Sequence, residues 1–244
     1  IPDPVITPGG TLEFCIGDTV TLTGEAGFDS YAWSPTGDVT ETTEWYQSDT
    51  VVLTVTNQFG GEGTSEVVLV ATMPMPISSV TADGPLEFCV GESVNLSADA
   101  GYASYLWNTG ETTQSITVDA SGTYTVTVTN GNSCDATSAG LNVTVNDLPE
   151  PAVSVIGDLA FCDGRDVTLT SSPASSYLWS NGENTQSIDV TGSDSYWVTV
   201  TDANGCVANS DTVMTTVFPT PNPTITADGP TIFCDGDSVV LTAS

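Results

Sequence analysis

Four Phe-Cys pairs open four copies of one phrase, and the length of the step between them constrains the fold more than any other feature. Phe14-Cys15-Ile16-Gly17-Asp18-Thr19-Val20-Thr21-Leu22-Thr23 returns as Phe88-Cys89-Val90-Gly91-Glu92-Ser93-Val94-Asn95-Leu96-Ser97 and as Phe161-Cys162-Asp163-Gly164-Arg165-Asp166-Val167-Thr168-Leu169-Thr170. The fourth copy is Phe233-Cys234-Asp235-Gly236-Asp237-Ser238-Val239-Val240-Leu241-Thr242. The cysteines are 74, 73 and 72 residues apart. That period is too long for a solenoid coil and suits a small domain with its own core, so the chain reads as tandem beads.

Within each copy, apolar and polar residues alternate with period 2 between turn residues, the signature of half-buried strands. In the second copy the strands fall at 93–98, 104–107, 114–118, 122–129 and 141–145, with Asn130-Gly131 as a hairpin signal that folds 141–145 back along 122–129. The third copy repeats the plan at 177–179, 186–190, 196–201 and 212–217, with Asn204-Gly205 at the turn. About seven short strands per repeat, with no helical pattern, predict an all-β chain of tandem β-sandwiches. The expected domains are 1–76, a divergent first repeat, then 77–151, 152–223, and 224–244 as the start of a fourth. Those last 21 residues hold only two strands, too few to bury a core, so more protein is expected to follow.

Met73-Pro74-Met75-Pro76, Leu148-Pro149-Glu150-Pro151 and Phe218-Pro219-Thr220-Pro221-Asn222-Pro223 join the repeats. Proline holds such joints extended, which predicts a semi-rigid rod advancing about 30 to 40 Å per repeat. The charge then limits the partners. Against 31 Asp and Glu stands one basic residue, Arg165, with no His, for a net charge of -30. Such a chain repels nucleic acid and anionic membrane surfaces. No run of apolar residues is long enough to insert in a membrane, yet 39% hydrophobic residues and five Trp exclude a disordered acidic tail.

The FC motif followed after 17 or 18 residues by Trp33, Trp107 and Trp179, the Gly-x-Tyr-x-Val-x-Val strand, and the Asn-Gly-Cys turn together resemble a known family. They are similar to the immunoglobulin-like, PKD-related repeats of very large secreted surface proteins of Bacteroidetes. The resemblance covers nearly the whole chain. It implies type IX export, an extracellular, cell-surface location, and roles in adhesion, gliding or filaments. The first repeat departs from it, with Val51 where Tyr124 and Tyr196 stand, which removes the tyrosine-corner side chain from that repeat alone.

Six cysteines without a Cys-x-x-Cys or a His fit disulfides in an oxidising exterior rather than zinc. Two pairings are open. One lies inside each repeat, Cys89 with Cys134 and Cys162 with Cys206, and strands Cys15, whose counterpart position is near Gly61. In the other, the sandwich implied by the resemblance puts the FC position and the hairpin cysteine at opposite ends of a domain, beyond the reach of one bridge. Head-to-tail stacking then pairs Cys15 with Cys134 and Cys89 with Cys206, and leaves Cys162 and Cys234 for hairpins beyond Ser244.

Nothing in the sequence supplies a catalytic site. Lys and His are missing, there is no phosphate-binding Gly-rich loop, and Asp18, Glu92 and Asp237 recur directly after a turn Gly, with Asp166 one place further on, where they serve the turn. The expectation is a non-enzyme. Calcium is the one cofactor with a physical case, through Asp163, Asp166, Asp202 and Asn204, set against a plain solvated acidic surface. Asn95-Leu96-Ser97 and Asn142-Val143-Thr144 match the glycosylation triplet or are simply strand residues. Trp197 and Trp45 break the alternation and are expected to face outward as candidate interface residues.

The function expected from all this is a structural repeat array, the disulfide-stiffened shaft of a large extracellular adhesin or cell-surface filament. The alternatives are a module that itself binds a glycan or protein ligand, and an appendage of an enzyme. The expected partners are further copies of the chain in a filament or bundle, other repeats of the same long chain, and surface ligands met through other regions.

Overall fold

A computed structural model describes residues 1–244. Every regular element in it is a strand. The chain gathers into two compact units, Ile1–Glu87 with Gly91–Val145, and Phe88–Val90 with Asn146–Ser244.

In the first repeat, Val20–Gly24 lies between Ile6–Pro8 and Thr42–Trp45, all antiparallel. The opposing sheet is built on Asp49–Thr56, which pairs with Ser30–Ser34, Glu62–Thr64 and Val68–Met73. Glu13–Cys15 joins this second sheet by running parallel to Val68–Met73. The chain thus crosses from one sheet to the other before the FC motif, and the motif sits on a sheet edge. The third repeat follows the same plan. Val153–Ile156, Val167–Ser171 and Ser187–Val190 form one sheet, and Ser176–Trp179, Val198–Thr201 and Val207–Asn209 the other. Ala160–Cys162 runs parallel to Thr216–Phe218. These are immunoglobulin-like β-sandwiches, two sheets closed over one apolar layer.

Period-2 alternation puts Val20, Leu22, Val51, Leu53 and Val55 into the first core, and Val167, Leu169, Val198 and Val200 into the third. The recurring tryptophan lies at the centre of each, and its indole N–H is satisfied in the same way every time. Trp33 Nε1 donates to the carbonyl of Thr40 at 2.8 Å, Trp107 Nε1 to Thr113 at 2.8 Å, and Trp179 Nε1 to Thr185 at 2.9 Å. Each of those threonine hydroxyls then donates to a carbonyl two residues on. A buried indole without such a partner would pay for its lost hydration, so the loop ahead of the next strand is fixed by the Trp.

Two strand expectations need correction. Residues 141–145 do not return along the whole of 122–129. Asp135–Thr137 pairs with Val126–Thr129, whereas Leu141–Asn146 pairs with Gly122–Tyr124. The return strand breaks because Ser138 turns its hydroxyl onto the backbone, accepting from Val126 N at 3.1 Å in place of a ladder carbonyl. Ser65 does the same for Leu53 N at 3.0 Å and Ser210 for Val198 N at 3.1 Å. The Asn130-Gly131 pair is likewise not a two-residue turn. The loop runs to Cys134, and its left-handed residue is Ser133, at φ 62°, where the other two repeats place Gly60 and Gly205.

Residues 224–244 form a short hairpin of Ile225–Ala227 with Leu241–Ala243, and nearly all of its side chains are exposed.

Candidate functional site: the repeat joints

The cysteines meet where a linker leaves one repeat and a hairpin of the next begins. Cys15 pairs in register with Met73, and Ile16 N donates to the Met73 carbonyl at 2.9 Å. The thiol is thereby fixed beside the start of the Pro74-Met75-Pro76 linker. Cys15 is bonded to Cys134, with Cα atoms 5.6 Å apart and a sequence separation of 119. Cys89 is bonded to Cys206 in the same geometry, Cα atoms again 5.6 Å apart, over 117 residues. Val90 N donates to the Asn146 carbonyl at 2.9 Å, the counterpart of the Ile16 bond.

The hairpin side of each joint is shaped by one residue four places before the cysteine. Asn130 Oδ1 accepts from the N–H groups of Asn132 at 2.9 Å and Cys134 at 3.1 Å. Its Nδ2 donates to the carbonyl of Pro74 at 2.9 Å, which ties the hairpin to the linker directly. Asp202 holds the same place, accepting from Asn204 N at 2.9 Å and Cys206 N at 2.8 Å, but a carboxylate has no hydrogen to give a linker carbonyl. In the first repeat Asn57 builds the same turn around Phe59 N and Gly61 N, so Gly61 stands at the hairpin cysteine position. Cys134 and Cys206 are fully buried.

Cys162 and Cys234 are free and exposed. Cys162 nonetheless sits in the same local frame as Cys15, pairing with Phe218, with Asp163 N donating to the Phe218 carbonyl at 2.8 Å.

The remaining candidates divide. Trp197 does face outward and is 39% exposed; its carbonyl accepts from Ser180 N at 2.9 Å. Trp45 does not. It is 1% exposed and belongs to the first core, paired in register with Val20, at the place where Val118 and Val190 stand in the other repeats. The physical reason lies at Val51, which is also buried where the others carry Tyr124 and Tyr196: a small residue in one place is offset by a large one in the other. The outward residue of that pair is Tyr46. Tyr124 donates its hydroxyl to the Ala120 carbonyl at 2.8 Å. Burial first, then Asp119 and Glu111, push its ionisation above the usual tyrosine range.

No three Asp, Glu, His or Cys side chains are grouped to hold a metal ion, so Asp163, Asp166 and Asp202 do not converge on one point. One oxygen of Asp202 is already taken by two amides, one of them that of Asn204. Of the glycosylation triplets, Asn95 gives its Nδ2 to Asp83 at 2.8 Å and accepts from the Thr117 hydroxyl at 2.6 Å, so both ends of its amide are engaged. The donation from Asn95 holds the Asp83 carboxyl below the ordinary range. Asn142 accepts from the Thr123 hydroxyl at 2.6 Å.

No protein-family model matches the chain, and no curated protein matches it. Among solved structures it is similar to the three N-terminal domains of the bacteriophage RB49 highly immunogenic outer capsid protein, at 18% identity and TM-score 0.35, over 88% of this chain and 98% of that one. It is similar to murine CEACAM1b at 14% identity and TM-score 0.30, over 58% of this chain and 100% of that one. With the N-terminal eight Ig domains of the Down syndrome cell adhesion molecule it shares 12% identity at TM-score 0.29, over 99% of this chain and 44% of that one.

Proposed function

We propose that this chain is a section of the shaft of a large extracellular adhesin or cell-surface filament, of the Bacteroidetes kind exported by the type IX pathway. The observation that carries the reading is the pair of bridges, Cys15 to Cys134 and Cys89 to Cys206. A disulfide that served one domain's stability would close inside that domain. These join the edge of one repeat to the hairpin of the next, so each joint is crossed by two covalent paths, the linker and the bridge. Such a joint transmits tension even when the linker is cut. Bridges of this type persist only where the medium is oxidising, which supports export.

The acidic composition fits the same role: with no Lys and one Arg, the chain has no means of forming Lys-Asn crosslinks, and cystine is the covalent reinforcement available to it. Non-reducing peptide mapping of the oxidised protein should return fragments linking Cys15 to Cys134 and Cys89 to Cys206. Small-angle scattering should give an elongated particle whose maximum dimension grows with each added repeat. A Cys89 to Cys134 fragment, or a compact globule, overturns the reading.

A further inference from the structure

The third repeat carries, on its outward face, a stripe of large apolar side chains with a tryptophan at its centre. Leu178 pairs in register with Thr199, Trp179 with Val198, and Ser195 with Met214. Cross-strand partners share a face and period 2 relates 195, 197 and 199, so Leu178, Trp197 and Met214 lie diagonally across three adjacent strands on the outward side. All three are exposed: Leu178 by 54%, Trp197 by 39% and Met214 by 70%. The corresponding residues are Leu106, Thr125 and Asn142 in the second repeat, and Ala32, Val52 and Leu69 in the first. An exposed Trp costs hydration free energy, and around it Ser176, Ser195, Thr199, Thr201 and Asn209 are polar, with Val207 the apolar residue beyond the stripe on these strands.

Carboxylates flank the strands of the stripe in sequence. Asp194 precedes Ser195, Asp211 follows Ser210 in the link between Val207–Asn209 and Val213–Met214, and Glu183 lies on the turn after Trp179. The chain offers them no counterion, since its one basic side chain is Arg165.

We propose that the Leu178–Trp197–Met214 face is a docking site for a cationic, apolar segment of another protein, one presenting Lys or Arg beside Leu-like side chains. The indole face attracts an ammonium or guanidinium group, the carboxylates add to that attraction, and Leu178 and Met214 receive the apolar side chains. A second copy of this chain fits worse, because at a net charge of -30 it brings carboxylates against carboxylates. Of the three repeats, the third alone places an aromatic ring at the centre of this stripe, where the others have Val52 and Thr125.

The test uses the oxidised chain and a short alternating Lys-Leu peptide. Trp33, Trp45, Trp107 and Trp179 are at most 2% exposed, so Trp197 is the one tryptophan open to acrylamide quenching. Adding the peptide should protect Trp197 from quenching and shift its emission to the blue, while an alternating Glu-Leu peptide should do neither. Trp197→Ser, read by calorimetry, and Leu178→Ser with Met214→Ser, read by fluorescence, should each weaken the Lys-Leu peptide about tenfold or more, with circular dichroism unchanged. Three results overturn the proposal: failure of the Lys-Leu peptide to protect Trp197, equal affinity of the Trp197→Ser chain, or protection by raising protein concentration alone in high salt. The second would mark diffuse electrostatics and the third a second copy as the occupant.

Discussion

Asn130 donates its side-chain amide to the carbonyl of Pro74 at 2.9 Å while its oxygen holds the amide of Cys134. One residue therefore fixes both the hairpin that carries a bridging cysteine and the linker that the bridge bypasses. Asn130→Asp keeps the turn, as Asp202 shows in the third repeat, and loses the donation. The expected cost is about 1 kcal/mol. It should appear as faster reduction of the Cys15–Cys134 bridge by dithiothreitol, with the Cys89–Cys206 rate unchanged.

Three positions on, Ser133 occupies the left-handed region that Gly60 and Gly205 occupy in the sister hairpins. Ser133→Gly removes the Cβ clash, and stability in urea should rise by about 0.5–1 kcal/mol. A loss of stability would show that the Ser133 side chain contributes something the backbone does not reveal.

The two kinds of buried tryptophan should respond unequally to loss of the indole N–H. Trp33 Nε1 is bonded to Thr40, whereas Trp45 Nε1 is buried with no partner. Trp33→Phe strands the Thr40 carbonyl and should cost about 1–3 kcal/mol beyond the change in packing. Trp45→Phe removes an unpaired donor and should cost less. Trp45→Ala should cost about 3–5 kcal/mol, as for any large core aromatic, and denaturant midpoints measure all three.

Thiol chemistry separates the six cysteines. In native, oxidised protein, iodoacetamide should modify Cys162 and Cys234 alone, read by intact mass and peptide mapping. Substituting Cys15 and Cys134 together by Ser should remove about 4–5 kcal/mol by the loop-closure model, less any compensation from the second bridge.

Alkali should find Tyr124. Its folded ionisation lies above that of the unfolded chain because burial and the nearby carboxylates disfavour the phenolate. The stability it contributes is therefore complete below the unfolded value near 10 and is lost as pH rises through the higher folded value. Tyr124→Phe should lower stability at neutral pH, through the lost bond to Ala120, and flatten the decline above about pH 10.

The sandwich was legible because it depends on alternation, and alternation is local: Val20, Leu22, Val167 and Leu169 are buried as their spacing demands. Trp33, Trp107 and Trp179 were legible for the same reason. Trp45 was not, because its placement depends on the size of Val51 from the next strand, a relation between elements that a single strand's pattern does not carry. The hairpins were misjudged at Asn130-Gly131 because the side chain of Asn130, and not Gly131, organises the loop. The trace of this in the sequence is an Asn or Asp four residues before each hairpin cysteine, at 130 and 202, with Asn57 before Gly61. Ser65, Ser138 and Ser210 also recur in register, but a serine that replaces a ladder carbonyl looks like any other strand serine until the backbone is known.

The two bridges overlap in sequence, since Cys89 falls inside the loop closed by Cys15 and Cys134, while Cys206 falls outside it. If every repeat were unravelled by force, the shortest covalent route from Cys15 to Cys206 would cross to Cys134, run backwards along the chain to Cys89, and cross again. That route contains 134 less 89, or 45, residue steps, where the reduced chain has 206 less 15, or 191. At about 3.5 Å per step the oxidised section yields no more than roughly 160 Å, against roughly 670 Å when reduced. Redox state, rather than the strength of any sandwich, thus sets how far this length of protein can ever be stretched.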